Sequence, residues 1–139
     1  MRILIADDHA IVRRGLKDIL TEAFGRLTVG EASGAAEAMQ FVRKQDWDLV
    51  ILDISMPGRG GLDALKEIKE ERPRLPVLIL SMHPEDQYAV RALKAGASGY
   101  LTKQSASEEL VEAVKKIREV RKYISPSVAE RLAFTLEKE

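Results

Sequence analysis

The sequence predicts an α/β fold built on a doubly wound parallel sheet, and two observations carry that prediction. Short, unbroken aliphatic runs bounded by polar residues recur along the 139-residue chain. Between them the apolar spacing changes to a helical period. Continuous aliphatic runs suit strands covered on both faces, because a half-wet antiparallel strand alternates polar and apolar residues instead. When such strands alternate with amphipathic helices, right-handed crossovers place helices on both faces of one sheet.

Ile3-Leu4-Ile5-Ala6 is the first run, and Val12, Leu16, Ile19, Leu20 and Ala23 form the stripe of the helix after it. The weaker, mixed segment Leu27–Ala32 reads as a strand nearer a sheet edge, and alanine-rich Ala35–Lys44 as the next helix. Leu49-Val50-Ile51-Leu52 is followed by a stripe at Leu62, Leu65 and Ile68. Val77-Leu78-Ile79-Leu80 is followed by one at Tyr88, Ala89, Ala92 and Leu93. The short run Gly99-Tyr100-Leu101 precedes the last stripe, Leu110, Val114 and Ile117. The punctuation agrees: Pro84 suits a first helical position, Gly96 a C-terminal cap, and Ser107 an N-cap with Glu108 and Glu109 in the favourable first turn. Beyond Val120, Ser125-Pro126 can open another helix, along which Val128, Leu132 and Leu136 recur every fourth residue. That stripe has two readings, a helix packed on its own domain or frayed at the terminus, and a connector toward a second domain.

Composition removes several classes of function. Lys plus Arg number 22 and Asp plus Glu 22, so no global field draws the chain onto nucleic acid or an anionic membrane. Without cysteine there are no disulfides, thiolate nucleophiles or cysteine zinc sites, and two histidines, His9 and His83, are too few for a histidine metal cluster. Both read as surface residues. No stretch reaches the roughly 18 apolar residues of a membrane span, and the acid pair Asp7-Asp8 comes too early for a secretory signal. The expectation is a soluble, cytoplasmic protein.

The chemistry lies at the end of each run. Asp7 and Asp8 come directly after the first, Asp53 ends the second, Ser81 comes after the third, and Lys103 lies two residues past Leu101. Parallel strands bring these positions to one rim, and open α/β sheets bind ligands beyond the carboxyl ends of their strands. Each residue alone has a plain explanation: a capping pair, a turn acid, a loop hydroxyl, a solvated lysine. Their joint placement is the informative fact. Three carboxylates within a few ångströms cannot all stay ionised unless positive charge is supplied. With oxygen ligands only, magnesium suits the site better than zinc or copper. Gly58-Arg59-Gly60-Gly61 is not a phosphate-binding P-loop, no dinucleotide fingerprint comes after the first strand, and no glycine-flanked nucleophile elbow surrounds Ser81.

Asp7-Asp8, Asp53 ahead of Met56-Pro57-Gly58, Ser81, and Tyr100-Leu101-Thr102-Lys103 together resemble the receiver domain of bacterial two-component response regulators. The resemblance covers roughly residues 1–120 and implies a five-stranded, flavodoxin-like sheet of order 2-1-3-4-5. It implies that Asp53 accepts a phosphoryl group from a sensor histidine kinase and that Mg2+ is held by Asp8, Asp53 and the Ser55 backbone carbonyl, with Asp7 acting mostly through a water. Lys103 would hold a phosphoryl oxygen, and Ser81 and Tyr100 would form the switch. Asp7-Asp8-His9 with Arg13-Arg14-Gly15-Leu16, and Lys94-Ala95-Gly96-Ala97-Ser98-Gly99-Tyr100, are similar to the subfamily that continues into a four-helix helix-turn-helix DNA-binding domain. Ser125-Pro126 resembles that subfamily's linker, so residues 121–139 are expected to form a linker helix toward an output domain this chain does not contain, and DNA would be reached only through that domain. Homodimerisation on phosphorylation is a further expectation. One departure is Gln104, which stands where many receivers carry proline after the lysine. Two alternatives stay open: a Mg2+-dependent phosphohydrolase with an aspartyl-phosphate intermediate, which would usually carry an acid at the Ser55 position, and a stand-alone receiver that acts by protein binding.

Overall fold

The computed structural model describes residues 1–54, 60–82, 86–120, 122–124, 129–130 and 133. Within them the chain runs β1 (Arg2–Ala6), α1 (Ala10–Phe24), β2 (Thr28–Ala32), α2 (Ala35–Lys44), β3 (Leu49–Asp53), α3 (Gly61–Glu71), β4 (Val77–Ser81), α4 (Asp86–Lys94), β5 (Gly99–Thr102), α5 (Ala106–Val120) and β6 (Tyr123–Ile124). All strand pairs are parallel, in the order β2-β1-β3-β4-β5-β6. The first five therefore have the expected flavodoxin-like order. Every residue of β3 and β4 is buried, as a central strand covered on both faces requires, whereas β2 is half-exposed at the sheet's edge.

Strand alternation divides the core into two layers. On one face Leu4, Val50, Leu52, Val77, Ile79 and Tyr100 pack under α2, α3 and α4. On the other, Ile3, Ile5, Ile51, Leu78, Leu80 and Leu101 pack under α1 and α5, through Leu16, Leu20, Leu110, Val114 and Ile117. These helical contacts are the stripes the sequence displays at a 3.6-residue period.

Local punctuation differs at the start of α5. Gly96, at φ 106°, comes after α4 as a C-terminal glycine should. Ser107, however, is not an N-cap: α5 begins at Ala106, and the Ser105 carbonyl accepts the Glu108 and Glu109 N–H groups. The cause is a turn stabilised by the Thr102 and Ser105 hydroxyls, 2.8 Å apart, which starts the helix earlier than the acidic first turn suggests. Pro84 lies outside the described residues, as do Ser125, Pro126, Val128, Leu132 and Leu136.

The sixth strand is an addition to the five apolar runs. Two residues give no periodic signal, and β6 exists because an edge is available: the Tyr123 N–H donates to the Ser98 carbonyl at 2.8 Å, in register with Gly99 and Tyr100. A Cβ at Gly99 would sit 2.5 Å from the Tyr123 carbonyl oxygen, so the close approach needs glycine. The Tyr123 hydroxyl lies 3.0 Å from Glu109 Oε1. Burial, then the hydrogen bond and charge of Glu109, push the phenol up to about 12. A phenol raised on folding contributes stability that is complete below the ordinary value near 10 and fades as pH climbs toward 12. Between those limits the wild-type chain should lose stability more steeply than Tyr123→Phe, read as unfolding midpoints in denaturant; equal pH slopes would remove Tyr123 as the cause.

Candidate cation and phosphoryl site

The carboxyl ends of β1, β3, β4 and β5 bring the expected residues to one rim. Asp7 comes directly after β1 and is 1% exposed; Asp53 is the last residue of β3 and is fully buried. The backbone fixes both: the Asp7 N–H donates to the Ala32 carbonyl, and the Ile54 N–H, next to Asp53, donates to Leu80. Lys103 comes just past β5, where its N–H donates to the Ser81 carbonyl at 2.7 Å. Its side chain, 10% exposed, reaches back so that Nζ lies 2.9 Å from Asp7 Oδ2 and 3.0 Å from Asp53 Oδ2. Burial acts to lower this ammonium, but the contacts with Asp7 and Asp53 and their charges outweigh it, and Lys103 is raised above its usual value.

One ammonium does not balance three carboxylates. Ligand atoms from Asp7, Asp8, His9 and Asp53 lie within 4.8 Å of one another. Asp8 Oδ1 is buried and accepts no hydrogen bond, whereas Asp7 Oδ2 is paired with Lys103 at 2.9 Å. A buried carboxylate oxygen left unbonded is costly. An oxygen-rich, under-neutralised cluster with a partly exposed member, Asp8, fits a hard divalent cation that keeps several waters. The residues present therefore suit magnesium. The Ser55 carbonyl lies outside the described residues.

Ser81 and Tyr100 sit on neighbouring strands, with Ile79 paired to Tyr100 and Ser81 to Thr102. By strand alternation Ser81, Ile79 and Tyr100 share the face under α3 and α4. Ser81 is 3% exposed, and the Tyr100 ring is fully buried in the core cluster that contains Ala89, Ala92 and Ala97. Among the described residues no peptide bond is cis, including Lys103–Gln104.

Three residues at the rim carry more than sequence reasoning assigns them. His9, read as a surface histidine, is indeed mostly exposed, yet its Nδ1 lies 3.1 Å from Asp7 Oδ1 and 3.2 Å from Asp8 Oδ1. Its position directly after the acid pair is the signal that could have found it. Arg13 holds the β1–α1 turn, donating from Nη1 to the Asp7 carbonyl at 2.6 Å while pairing with Glu31. Gly61 opens α3 against the acid strand: a Cβ there would collide with Ile54 Cα and lie 2.8 Å from the Asp53 carbonyl oxygen. Backbone cannot yield as a flexible side chain does. Gly61→Ala should therefore destabilise the fold by about 1–3 kcal/mol, the usual range for overpacking, measurable by urea unfolding. A loss within a few tenths would show that α3 slides freely past Ile54.

The response regulator receiver domain model matches residues 3–115. The response regulator GacA of Pseudomonas aeruginosa is 35% identical over 133 residues, covering 96% of this chain and 62% of that protein. The chain thus spans about three fifths of the length of the curated relatives it matches. A crystal structure of a LuxR-family two-component response regulator from Aurantimonas superposes with a TM-score of 0.90 at 36% identity, covering 97% of this chain and 96% of that one. The isolated receiver domain of RcsB from Salmonella enterica, solved with the phosphomimetic BeF3-, superposes with a TM-score of 0.87 at 29% identity, over 95% of this chain and 98% of that one. No helix among the described residues is long and apolar enough to cross a membrane.

Proposed function

Because this chain belongs to the response regulator receiver domain family, we propose that it accepts a phosphoryl group on Asp53 from a sensor histidine kinase in a Mg2+-dependent reaction. It is a signalling switch and not a multiple-turnover enzyme. The observation that carries this reading is the Lys103 ammonium, within 3.0 Å of both Asp7 and Asp53, beside a carboxylate oxygen of Asp8 that accepts no hydrogen bond.

Asp8, Asp53 and the Ser55 carbonyl would hold the ion, with Asp7 acting mostly through a water. Magnesium, when bound, supplies positive charge that offsets the repulsion between the acid cluster and an incoming phosphoryl group. Asp53 needs no prior deprotonation: a carboxylate oxygen forms the bond to phosphorus as the bond to the donor imidazole breaks, its electron pair staying on nitrogen. Lys103, which pairs with Asp53 before transfer, then holds a phosphoryl oxygen as a compact point charge. Positioning and electrostatics lower the barrier, as in phosphoryl transfer generally.

Transfer adds about 1.5 to 2 negative charges and new acceptor oxygens at the end of β3. The Ser81 hydroxyl donates to the phosphoryl group and draws its loop inward, and the Tyr100 ring moves with it on the same sheet face. The change around α4, β5 and α5 biases association, including homodimerisation. In a longer parent chain the part of residues 121–139 that follows β6 serves as the linker to a four-helix helix-turn-helix domain, through which the receiver controls transcription. The phosphomimetic in the RcsB receiver structure supports a phosphoryl-accepting reading for a relative of the same fold.

The test is incubation with Mg2+ and a small phosphodonor, followed by mass spectrometry and sedimentation. One phosphoryl group on the peptide containing Asp53, with a shifted association equilibrium, is the expected result. Sustained release of phosphate from many substrates would replace this reading with the phosphohydrolase, and an unchanged monomer in both states would remove the association step.

A further inference from the structure

Resting on the reading of the acid cluster as a cation site, we propose that His9 is a nitrogen donor to that site and makes it select late first-row transition ions, such as nickel(II), beyond what carboxylates alone would give. His9 occupies the N-cap position of α1, yet its side chain makes no capping hydrogen bond. The ring is turned to the acids instead, with Nδ1 3.1 Å from Asp7 Oδ1 and 3.2 Å from Asp8 Oδ1. Two donors that share an ion at about 2.1 Å, with an angle between octahedral and tetrahedral at the metal, stand about 3.0 to 3.4 Å apart. The Asp8 separation falls in that window, and the Asp7 contact, a hydrogen bond, turns the ring toward the cluster.

The two nitrogen contacts of Asp7 also divide its oxygens. Lys103 takes Oδ2, while His9 faces Oδ1, so an ion beside the imidazole does not meet the ammonium at the same oxygen. Asp8 Oδ1, buried and accepting no hydrogen bond, completes the pocket on the histidine side. The imidazole is mostly exposed, which leaves coordination places for water. Oxygen donors suit magnesium, imidazole suits zinc, copper and nickel, and affinity for a mixed site rises along the first row toward copper. His9 therefore raises affinity for these ions and adds little for magnesium.

The experiment compares the wild-type chain with His9→Ala, which loses no capping bond, and with His83→Ala as a control for the other imidazole. Calorimetric titration with Ni2+ and, separately, Mg2+ is paired with copper(II) electron paramagnetic resonance. His9→Ala should weaken Ni2+ binding by about tenfold or more, at least what an outer-shell partner of a ligand contributes, while Mg2+ affinity changes less than about twofold. Nitrogen coupling in the copper spectrum should vanish in His9→Ala and persist in His83→Ala. Equal Ni2+ affinities, or nitrogen coupling that survives without His9, overturns the inference while leaving the carboxylate site standing. Failure of both Mg2+ and Ni2+ to bind the wild type would overturn the underlying cation-site reading as well.

Discussion

Asp53→Ala is expected to abolish phosphoryl labelling while leaving the fold intact and, in metal-free buffer, no less stable. The chemical half rests on geometry: Asp53 closes a central strand at the sheet rim, its Oδ2 3.0 Å from Lys103, and among the described residues no other carboxylate combines a strand end with that ammonium except Asp7, which is set back after β1. The stability half rests on charge. Three carboxylates crowd one ammonium, and deleting one leaves Lys103 with Asp7 at 2.9 Å. Mass spectrometry and denaturant unfolding check the two halves separately. Labelling that persists on another residue would show that the nucleophile was misassigned, and a large loss of stability would show that the acids are not mutually repulsive.

Lys103→Met should have the opposite effect on stability, lowering it by about 3–5 kcal/mol, the range for removing one partner of a buried ion pair. Methionine keeps the length and apolar character of the stem, so the loss isolates the charge. Asp7 and Asp53, at 1% and 0% exposure, would be left without the ammonium that touches both. Two rescues are expected. Magnesium at a hundredfold excess over its Kd should return about 2.7 kcal/mol by mass action. Adding Asp53→Ala to Lys103→Met should also recover part of the loss, as a double-mutant cycle. Unfolding midpoints in urea, with and without Mg2+, read both; a Lys103→Met midpoint equal to wild type would mean that solvent, and not Lys103, neutralises the cluster.

The two stability effects differ in sign because of a property visible in no single residue. Asp7, Asp53 and Lys103 each have an unremarkable local sequence, and the 46 and 50 positions that separate them fix nothing about distance. The sequence does carry the grammar of an apolar run ending in an acid, a hydroxyl or a lysine, which the parallel sheet converts into a shared rim. The same grammar fails where the signal is short or lies in backbone contact. Tyr123-Ile124 became a strand because β5 offered an unpaired edge, and Ser107 lost its capping role to the hydroxyl-bonded turn at Thr102 and Ser105. Gly61 has an unremarkable local sequence; only the approach of Ile54 Cα shows why a side chain is not tolerated there.

By itself, then, the sequence determined the alternation of strands and helices, the two apolar layers and the identity of the residues at the rim, because periodicity and strand ends are local patterns that need no third dimension. Tertiary structure alone decided which oxygen of Asp7 meets Lys103, that His9 turns toward the acids instead of capping α1, and that a sixth strand covers β5. These depend on distances between residues far apart in the chain or on side-chain direction, and both are set only when packing fixes each rotamer and each backbone approach.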